Sequence, residues 1–335
     1  MSAGTRGHVS KTVRIYGRPF TISGGEGDGY YRQIPDGCDI TDSVMAAIRP
    51  LVGPDAVCLD VGANIGLYSL GLSHLAPEGR VYAFEPSPGT YGHLQANVET
   101  NGAANVEAFN LAVSDTTGTV RFHDFSFFSA GSFSSDKGSL LSSESYGSQA
   151  FEAATTTVDD FVADQGIDRV DLIKVDVEGA ELSVLAGAEK TLATYRPATV
   201  LEFNTFGFTI HQSLLPQVAL ARIQDVFPHV FVMDRFDGGL RRLETPPEIY
   251  AFLYDNGIHG PADNLLCTFD DLPVGDRYCH LSTREGADGE DWRLAEAEAM
   301  RHTVSWRVTS PLRHARRRLG PVVTRAQALK RARKG

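Results

Sequence analysis

The chain of 335 residues lacks any apolar run of 18 residues, the length a membrane-spanning helix needs. Its first stretch, residues 1–21, has charges and glycines in place of a continuous apolar segment, so no secretory leader is expected there. Cysteine is scarce and unpatterned. Cys38, Cys58, Cys267 and Cys279 form no CxxC pair, which argues against zinc-ribbon and thioredoxin-like spacings and suits the reduced thiols of a cytoplasmic protein. Acid is missing from the end of the chain: residues 301–335 hold 11 of the 31 Lys+Arg and none of the 42 Asp+Glu. The rest of the chain therefore carries 20 bases against 42 acids. So acidic a body disfavours nucleic acid as a substrate. The basic tail suits peripheral contact with an anionic membrane, a nucleic acid or an acidic protein, or else stays solvated.

What is present is a strand, a tight turn and a helix start at Val57-Cys58-Leu59-Asp60-Val61-Gly62-Ala63-Asn64-Ile65-Gly66. The apolar run predicts a strand buried on both faces, and the glycine turn at a helix start predicts a ligand site. A further absence decides which ligand. A dinucleotide fingerprint needs Gly-x-Gly-x-x-Gly, whose second glycine admits a pyrophosphate, and here Asn64 fills that place. The next strand ends in Glu85-Pro86, 25 residues after Asp60. A carboxylate there can accept hydrogen bonds from both hydroxyls of a ribose. A nucleoside without a pyrophosphate fits, and S-adenosylmethionine (SAM) is the expected cofactor. A dehydrogenase would require the missing glycine.

Three regions are expected: an N-terminal cap over residues 1–50, an α/β domain over 51–272, and an acidic linker with a basic tail over 273–335. In the first, a hairpin is predicted around Gly17-Arg18 and a helix over Ile40 to Leu51, capped by Thr41 or Asp42. In the second, strands are predicted at Val106–Val113, Phe151–Thr157, Val170–Gly179, Ala198–Asn204, Val230–Met233, Ile249–Tyr254 and Asn264–Phe269, with helices at Ala180–Leu192 and near Leu214–Phe227. A seventh strand inserted antiparallel would complete the sheet. Between residues 126 and 150 lie 10 serines interleaved with Phe127, Phe128, Phe133 and Tyr146. A loop of that length and composition is expected to be a substrate lid. Strand ends in open α/β sheets face the ligand, which places Asn110, Ala112 and Asp115 near the nucleoside, although Asp115 also suits a simple turn cap.

Charge gathers where packing alone does not call for it. Lys174, Asp176 and Glu178 close one buried strand, and Glu202 and Asn204 close the next. Buried charges are costly unless paired, so these groups are expected to serve each other or a ligand. Asp176, Glu178, Glu202 and His211 are the candidates for catalysis, each able to take a proton from an acceptor hydroxyl. His74, His93 and His123 read as structural or exposed.

The segments 60–66, Phe84-Glu85-Pro86, Ala112-Val113-Ser114-Asp115, Thr157-Val158-Asp159-Asp160, Ile173-Lys174-Val175-Asp176-Val177-Glu178-Gly179-Ala180-Glu181 and Glu202 together resemble the FkbM family of SAM-dependent methyltransferases. The resemblance spans roughly residues 55–270. It implies a Rossmann-like class I methyltransferase, a mostly parallel seven-stranded sheet with helices on both faces. It implies O-methylation, with Asp60, Gly62, Ala63, Asn64 and Gly66 around the methionine end of SAM and Glu85-Pro86 at its ribose. Residues 305–313 also resemble a C-terminal signature of surface-polysaccharide enzymes. The expected acceptor is therefore a sugar hydroxyl of a cell-surface polysaccharide or glycolipid, reached in the cytoplasm or at the inner face of the membrane. Alternatives are a polyketide or other small secondary metabolite, and a non-catalytic SAM-binding scaffold. No metal is expected as a rule. In a metal-assisted alternative, Asp176, Glu202 and Asn204 resemble the Mg²⁺ site of catechol-type methyltransferases, whose oxygen-only ligands suit that ion.

Overall fold

The computed structural model of the protein describes residues 9–124, 133–134, 149–234, 239–259 and 262–278. Most of the serine-rich stretch expected as a lid, and all of the basic tail, lie outside them, as does Cys279.

Two strands open the fold, β1 (Val9–Ile15) and β2 (Arg18–Gly24). Tyr16 and Gly17 join them with φ of +52° and +76°, the left-handed pair that a two-residue hairpin turn demands. Helices α1 (Gly29–Gln33) and α2 (Ser43–Ile48) follow, the second capped by Asp42, whose carboxylate accepts from the Met45 N–H at 2.8 Å. The α/β alternation then runs β3 (Val57–Val61), α3 (Leu67–Leu75), β4 (Arg80–Phe84), α4 (Pro88–Thr100) and β5 (Val106–Phe109). A detour through β6 (Ala112–Val113), β7 (Gly118–Asp124), β8 (Phe133–Ser134) and β9 (Gln149–Thr156) makes a second sheet of four strands. The alternation resumes with α5 (Val158–Asp164), β10 (Leu172–Val175), α6 (Glu181–Ala186), α7 (Glu189–Tyr195) and β11 (Ala198–Asn204). A π-helical turn (Gly207–His211), α8 (Pro216–Val226), β12 (His229–Met233), β13 (Leu240–Arg242), α9 (Pro246–His259) and β14 (Ala262–Thr268) complete it.

The main sheet has the order β13-β12-β14-β11-β10-β3-β4-β5. β5, β4, β3, β10 and β11 are mutually parallel, and β14 inserts antiparallel between β11 and β12. From β3 the chain steps outward to β4 and β5, then returns to β10 on the other flank of β3. The strand order reverses at that point, between the carboxyl ends of β3 and β10, which is where open α/β sheets bind their ligands. Side chains alternate between the two faces of a strand. Leu59, Val61, Ile173, Val175, Leu201 and Phe203 enter one core, while Cys58, Leu172 and Val200 enter another shared with Val13, Ile15, Tyr31, Met45 and Ile48. By the same alternation Asp60, Lys174 and Glu202 lie on the second face, the one covered by the N-terminal elements.

Four predicted elements differ. The sheet has eight strands, because the short β13 pairs antiparallel beyond β12. Ile249–Tyr254 is helical, inside α9. The Glu248 carboxylate accepts from the N–H groups of Glu244 and Thr245, both at 2.8 Å, so Thr245-Pro246-Pro247-Glu248 works as a helix-starting capping box. Val106–Val113 divides at Asn110, where the chain leaves for the second sheet. Ala180–Leu192 breaks at Gly187, and α7 starts afresh with Asp159 accepting from the N–H of Lys190 and Thr191 at 2.9 and 2.8 Å. No helix among the described residues is long and apolar enough to cross a membrane.

Candidate active site

The turn after β3 is shaped by what its backbone must do. Gly62 and Ala63 donate to the Phe84 carbonyl at 3.0 and 2.9 Å. Gly62 has φ +80°, and a Cβ there would lie 1.9 Å from the Asp176 carbonyl oxygen, so only glycine lets β3 and β10 end side by side. Asn64 adopts φ +52°, a conformation asparagine tolerates better than most residues, and its Oδ1 accepts from the Ile65 N–H at 2.7 Å. It thus takes over a glycine's role in the turn. Gly66, at φ +91°, caps α3. Glu85, at the end of β4, is buried, and its two oxygens accept from the N–H groups of Asn64 (3.0 Å) and Ser87 (2.9 Å). Asn110 donates its amide to the carbonyls of Glu85 and Pro86, both at 2.9 Å. The structure therefore brings Gly62, Ala63, Asn64, Glu85, Pro86 and Asn110 to one rim. Ala112 and Asp115 lie on the second sheet, Ala112 paired with Thr155 and Asp115 in the exposed turn after β6.

Beside the turn stands a group of acids around one base. Asp60 is fully buried and Lys174 nearly so; they are register partners across β3 and β10. The Lys174 ammonium is 3.8 Å from Asp60 Oδ1 and donates to Asp176 Oδ2 at 3.1 Å, while Ser69 donates to Asp60 Oδ2 at 2.6 Å. Burial pulls the Lys174 ammonium down, but Asp176 and Asp60 outweigh it and leave it above its usual value. Burial raises the Asp60 carboxyl, against the pull of Lys174.

Asp176 N–H donates to the Val61 carbonyl at 3.0 Å, which fixes the residue beside the Gly62 turn, and its side chain keeps 36% exposure. Glu178 sits at φ +54°, a strained position for a glutamate. It is held there because Gly179 packs against Gly207, where a Cβ would fall 2.6 Å from the Gly207 carbonyl carbon. Asn204 donates to Glu178 Oε2 at 2.9 Å and accepts from the Gly207 N–H at 3.0 Å. Oxygens of Asp176, Glu178 and Glu202 all lie within 4.8 Å of one another. Burial raises the carboxyls of Glu178 and Glu202 well above their usual range, and Asp176 pushes both further.

Sequence reasoning passed over several neighbours. Glu181 is fully buried under this cluster, and burial pushes its carboxyl up to about 7. Tyr68 offers its ring face to the Lys174 ammonium at 4.4 Å and its hydroxyl to Asp42. Tyr30 feels the negative charges of Asp176, Asp42 and Asp60. Glu181 had a signal, the Glu-Gly-Ala-Glu spacing. Tyr30 and Asp42 had none, since they arrive by tertiary folding of the N-terminal segment. His211 stands apart in the π-helical turn, buried, edge-on to Phe206 at 5.5 Å and next to His123, which is itself buried. Burial lowers its imidazole to about 4, so it is neutral at pH 7.

Residues 60–257, more than half of the chain, match the Methyltransferase FkbM domain. The 2-O-methyltransferase NoeI of Sinorhizobium fredii is 25% identical over 221 residues, covering 62% of this chain and 88% of its own length. The 31-O-demethyl-FK506 methyltransferase FkbM of Streptomyces tacrolimicus is 30% identical over 192 residues, covering 50% of this chain and 71% of its own. The hexuronic acid methyltransferase AglP of Haloferax volcanii is 31% identical over 139 residues, with coverages of 41% and 52%. Coverage is uneven. A match to the AMB antimetabolite synthetase AmbE of Pseudomonas aeruginosa, at 30% identity over 192 residues, takes in 49% of this chain and 9% of that one.

Proposed function

The chain belongs to the FkbM family of SAM-dependent methyltransferases, and on that premise we propose that it O-methylates a hydroxyl of a sugar in a surface glycan. The observation that carries the reading is the apposition of the Gly62–Gly66 turn to the acids at the end of β10. On the cofactor side, a carboxylate offers about four acceptor positions, and Glu85 stands at the rim where a ribose would lie. When bound, SAM supplies an electrophilic methyl group on a sulfonium. The turn and Glu85 orient the cofactor, and the acids receive the acceptor.

Methyl transfer to an alcohol needs the oxygen held in line and relieved of its proton. In this reading Asp176 takes that proton, because it is locked beside the turn and retains access from solvent. Glu178, Glu202 and Asn204 line the pocket with hydrogen-bonding groups that suit a polyhydroxylated acceptor better than an apolar one. A macrolide or other small-metabolite acceptor is the second reading, and the relative that acts on 31-O-demethyl-FK506 is what favours it. The basic tail, in this proposal, holds the enzyme at the anionic inner face of a membrane.

Calorimetric titration with S-adenosylhomocysteine, paired with turnover on a panel of glycan acceptors, tests the assignment. Glu85→Ala is expected to weaken binding at least tenfold, the loss of about 1.4 kcal/mol or more. Asp176→Asn is expected to bind normally and turn over at least a hundredfold more slowly, within the range for general-base loss. Normal turnover by Asp176→Asn rejects its role; absence of binding by the folded wild type rejects the reading as a whole.

A further inference from the structure

The acids of the pocket exceed what their one base can neutralise. Asp60, Asp176 and Glu202 act on Lys174, and Glu178 and Glu181 join them through mutual repulsion. Lys174 already spends its contacts on Asp60 and Asp176. Three buried oxygens of these acids have no hydrogen-bond partner: Oδ1 of Asp60, which has only the Lys174 ammonium at 3.8 Å, Oε2 of Glu202 and Oε2 of Glu181. Glu181 is fully buried, and its other oxygen accepts from the N–H groups of Val177 (3.3 Å) and Gly179 (3.1 Å), which flank Glu178. Buried polar atoms are rarely left unmatched, and a buried charge less often still. A cation that takes oxygen ligands would supply such a partner.

We propose that Asp176, Glu178 and Glu202 form a binding site for a hard divalent cation of the Mg²⁺ and Mn²⁺ class, with Glu181 as the buried charge beneath it. One oxygen from each of the three lies within 4.8 Å of the others. Three oxygens so spaced share a centre within about 2.8 Å of each, against about 2.1 Å for a Mg²⁺–oxygen bond and about 2.4 Å for Ca²⁺, so the carboxylates close on either ion with shifts of under 1 Å. Asn204 is not counted among the ligands: its amide nitrogen holds Glu178 and its oxygen accepts from the Gly207 N–H. It positions Glu178 instead, and with it the strained φ of that residue. Three carboxylates leave the remaining coordination positions of such an ion to water or to an acceptor oxygen. The site does not depend on the methyl-transfer reading; only its use in polarising an acceptor hydroxyl does, and there Asp176 would take the proton with the carboxylate oxygen it does not give to the ion.

Mn²⁺ alone is the probe, read by the loss of the free-ion EPR signal on titration into the full chain. Titration with S-adenosylhomocysteine runs on the same samples. The wild type is expected to bind one Mn²⁺, displaced by Mg²⁺ or Ca²⁺. Glu202→Gln and Glu178→Gln are each expected to weaken Mn²⁺ binding at least tenfold while S-adenosylhomocysteine affinity stays within twofold. Either variant relieves repulsion between like charges, so both are expected to fold. As a second readout, Ca²⁺ raises the thermal midpoint of the wild type and leaves both variants unmoved. Protein that binds S-adenosylhomocysteine but no Mn²⁺ overturns the cation site and leaves the methyltransferase reading standing. Mn²⁺ binding that survives both substitutions also overturns it. Mn²⁺ binding lost in the variants, with no S-adenosylhomocysteine binding at all, upholds the cation site and removes the reading in which it is used.

Discussion

At the scale of single residues, the histidine and the acids pose opposite problems of solvation. His211 is buried without a carboxylate among the causes of its shift, so burial favours the neutral ring, and His123 disfavours a second positive charge beside it. The folded chain holds it at about 4 against 6.5 in the unfolded chain. Between those values the unfolded state binds the extra proton, and stability falls as pH drops through that window. The loss amounts to about 2 kcal/mol between pH 7.5 and pH 5, and about 3 kcal/mol by pH 4. His211→Phe, which preserves the aromatic contact with Phe206, is expected to flatten that part of the pH profile of urea unfolding. A wild type and variant with parallel profiles would assign the acid sensitivity to other groups.

At the scale of elements, the same residue type has opposite value in two places. In the turn after β3, Gly62→Ala sets a Cβ against the Asp176 carbonyl and forces a left-handed φ on alanine. The expected cost is about 3 kcal/mol or more, with loss of cofactor affinity as the turn shifts. In α4, Gly92 has open space around its Cα, and Gly92→Ala is expected to stabilise by up to about 1 kcal/mol through helix propensity. Urea midpoints of the two variants decide it; equal effects would mean that the turn is looser than its geometry implies. The contrast also explains what was legible in the chain. The turn and the charged strand ends carry their signal locally, because a tight bend selects Gly and Asn and a buried charge breaks an apolar run. The capping box that makes α9 a helix was equally local and passed unread, since Ile249 to Tyr254 is apolar enough to imitate a strand. The arrival of Tyr30 and Asp42 at this site was illegible. It depends on which face of the sheet the N-terminal hairpin packs against, and that is settled by long-range burial of Val13, Ile15 and Met45.

At the scale of the whole molecule, charge is partitioned more sharply than structure. The N-terminal hairpin shares a core with β3, β4, β10 and β11, so it folds as part of the same body. The eleven Lys and Arg of residues 301–335 face no acid within their own segment. A body with 22 excess acids repels an anionic surface, and a tail with 11 bases attracts one. Each Lys or Arg near an anionic leaflet contributes about 1 kcal/mol, within a screening length of about 8 Å at physiological salt. In the proposed membrane contact the tail therefore wins only at short range, while the acidic body is pushed outward. Full-length protein is expected to co-sediment with phosphatidylglycerol-containing vesicles at low salt and to be released at 1 M salt, where screening falls to about 3 Å. Reversing three charges with Arg316→Glu, Arg317→Glu and Arg318→Glu removes 6 of the 11 units of net positive charge in that segment. Vesicle affinity is expected to drop more than tenfold while S-adenosylhomocysteine binding stays unchanged. Binding that ignores salt or the triple substitution would place any membrane contact elsewhere in the chain and leave the tail without this role.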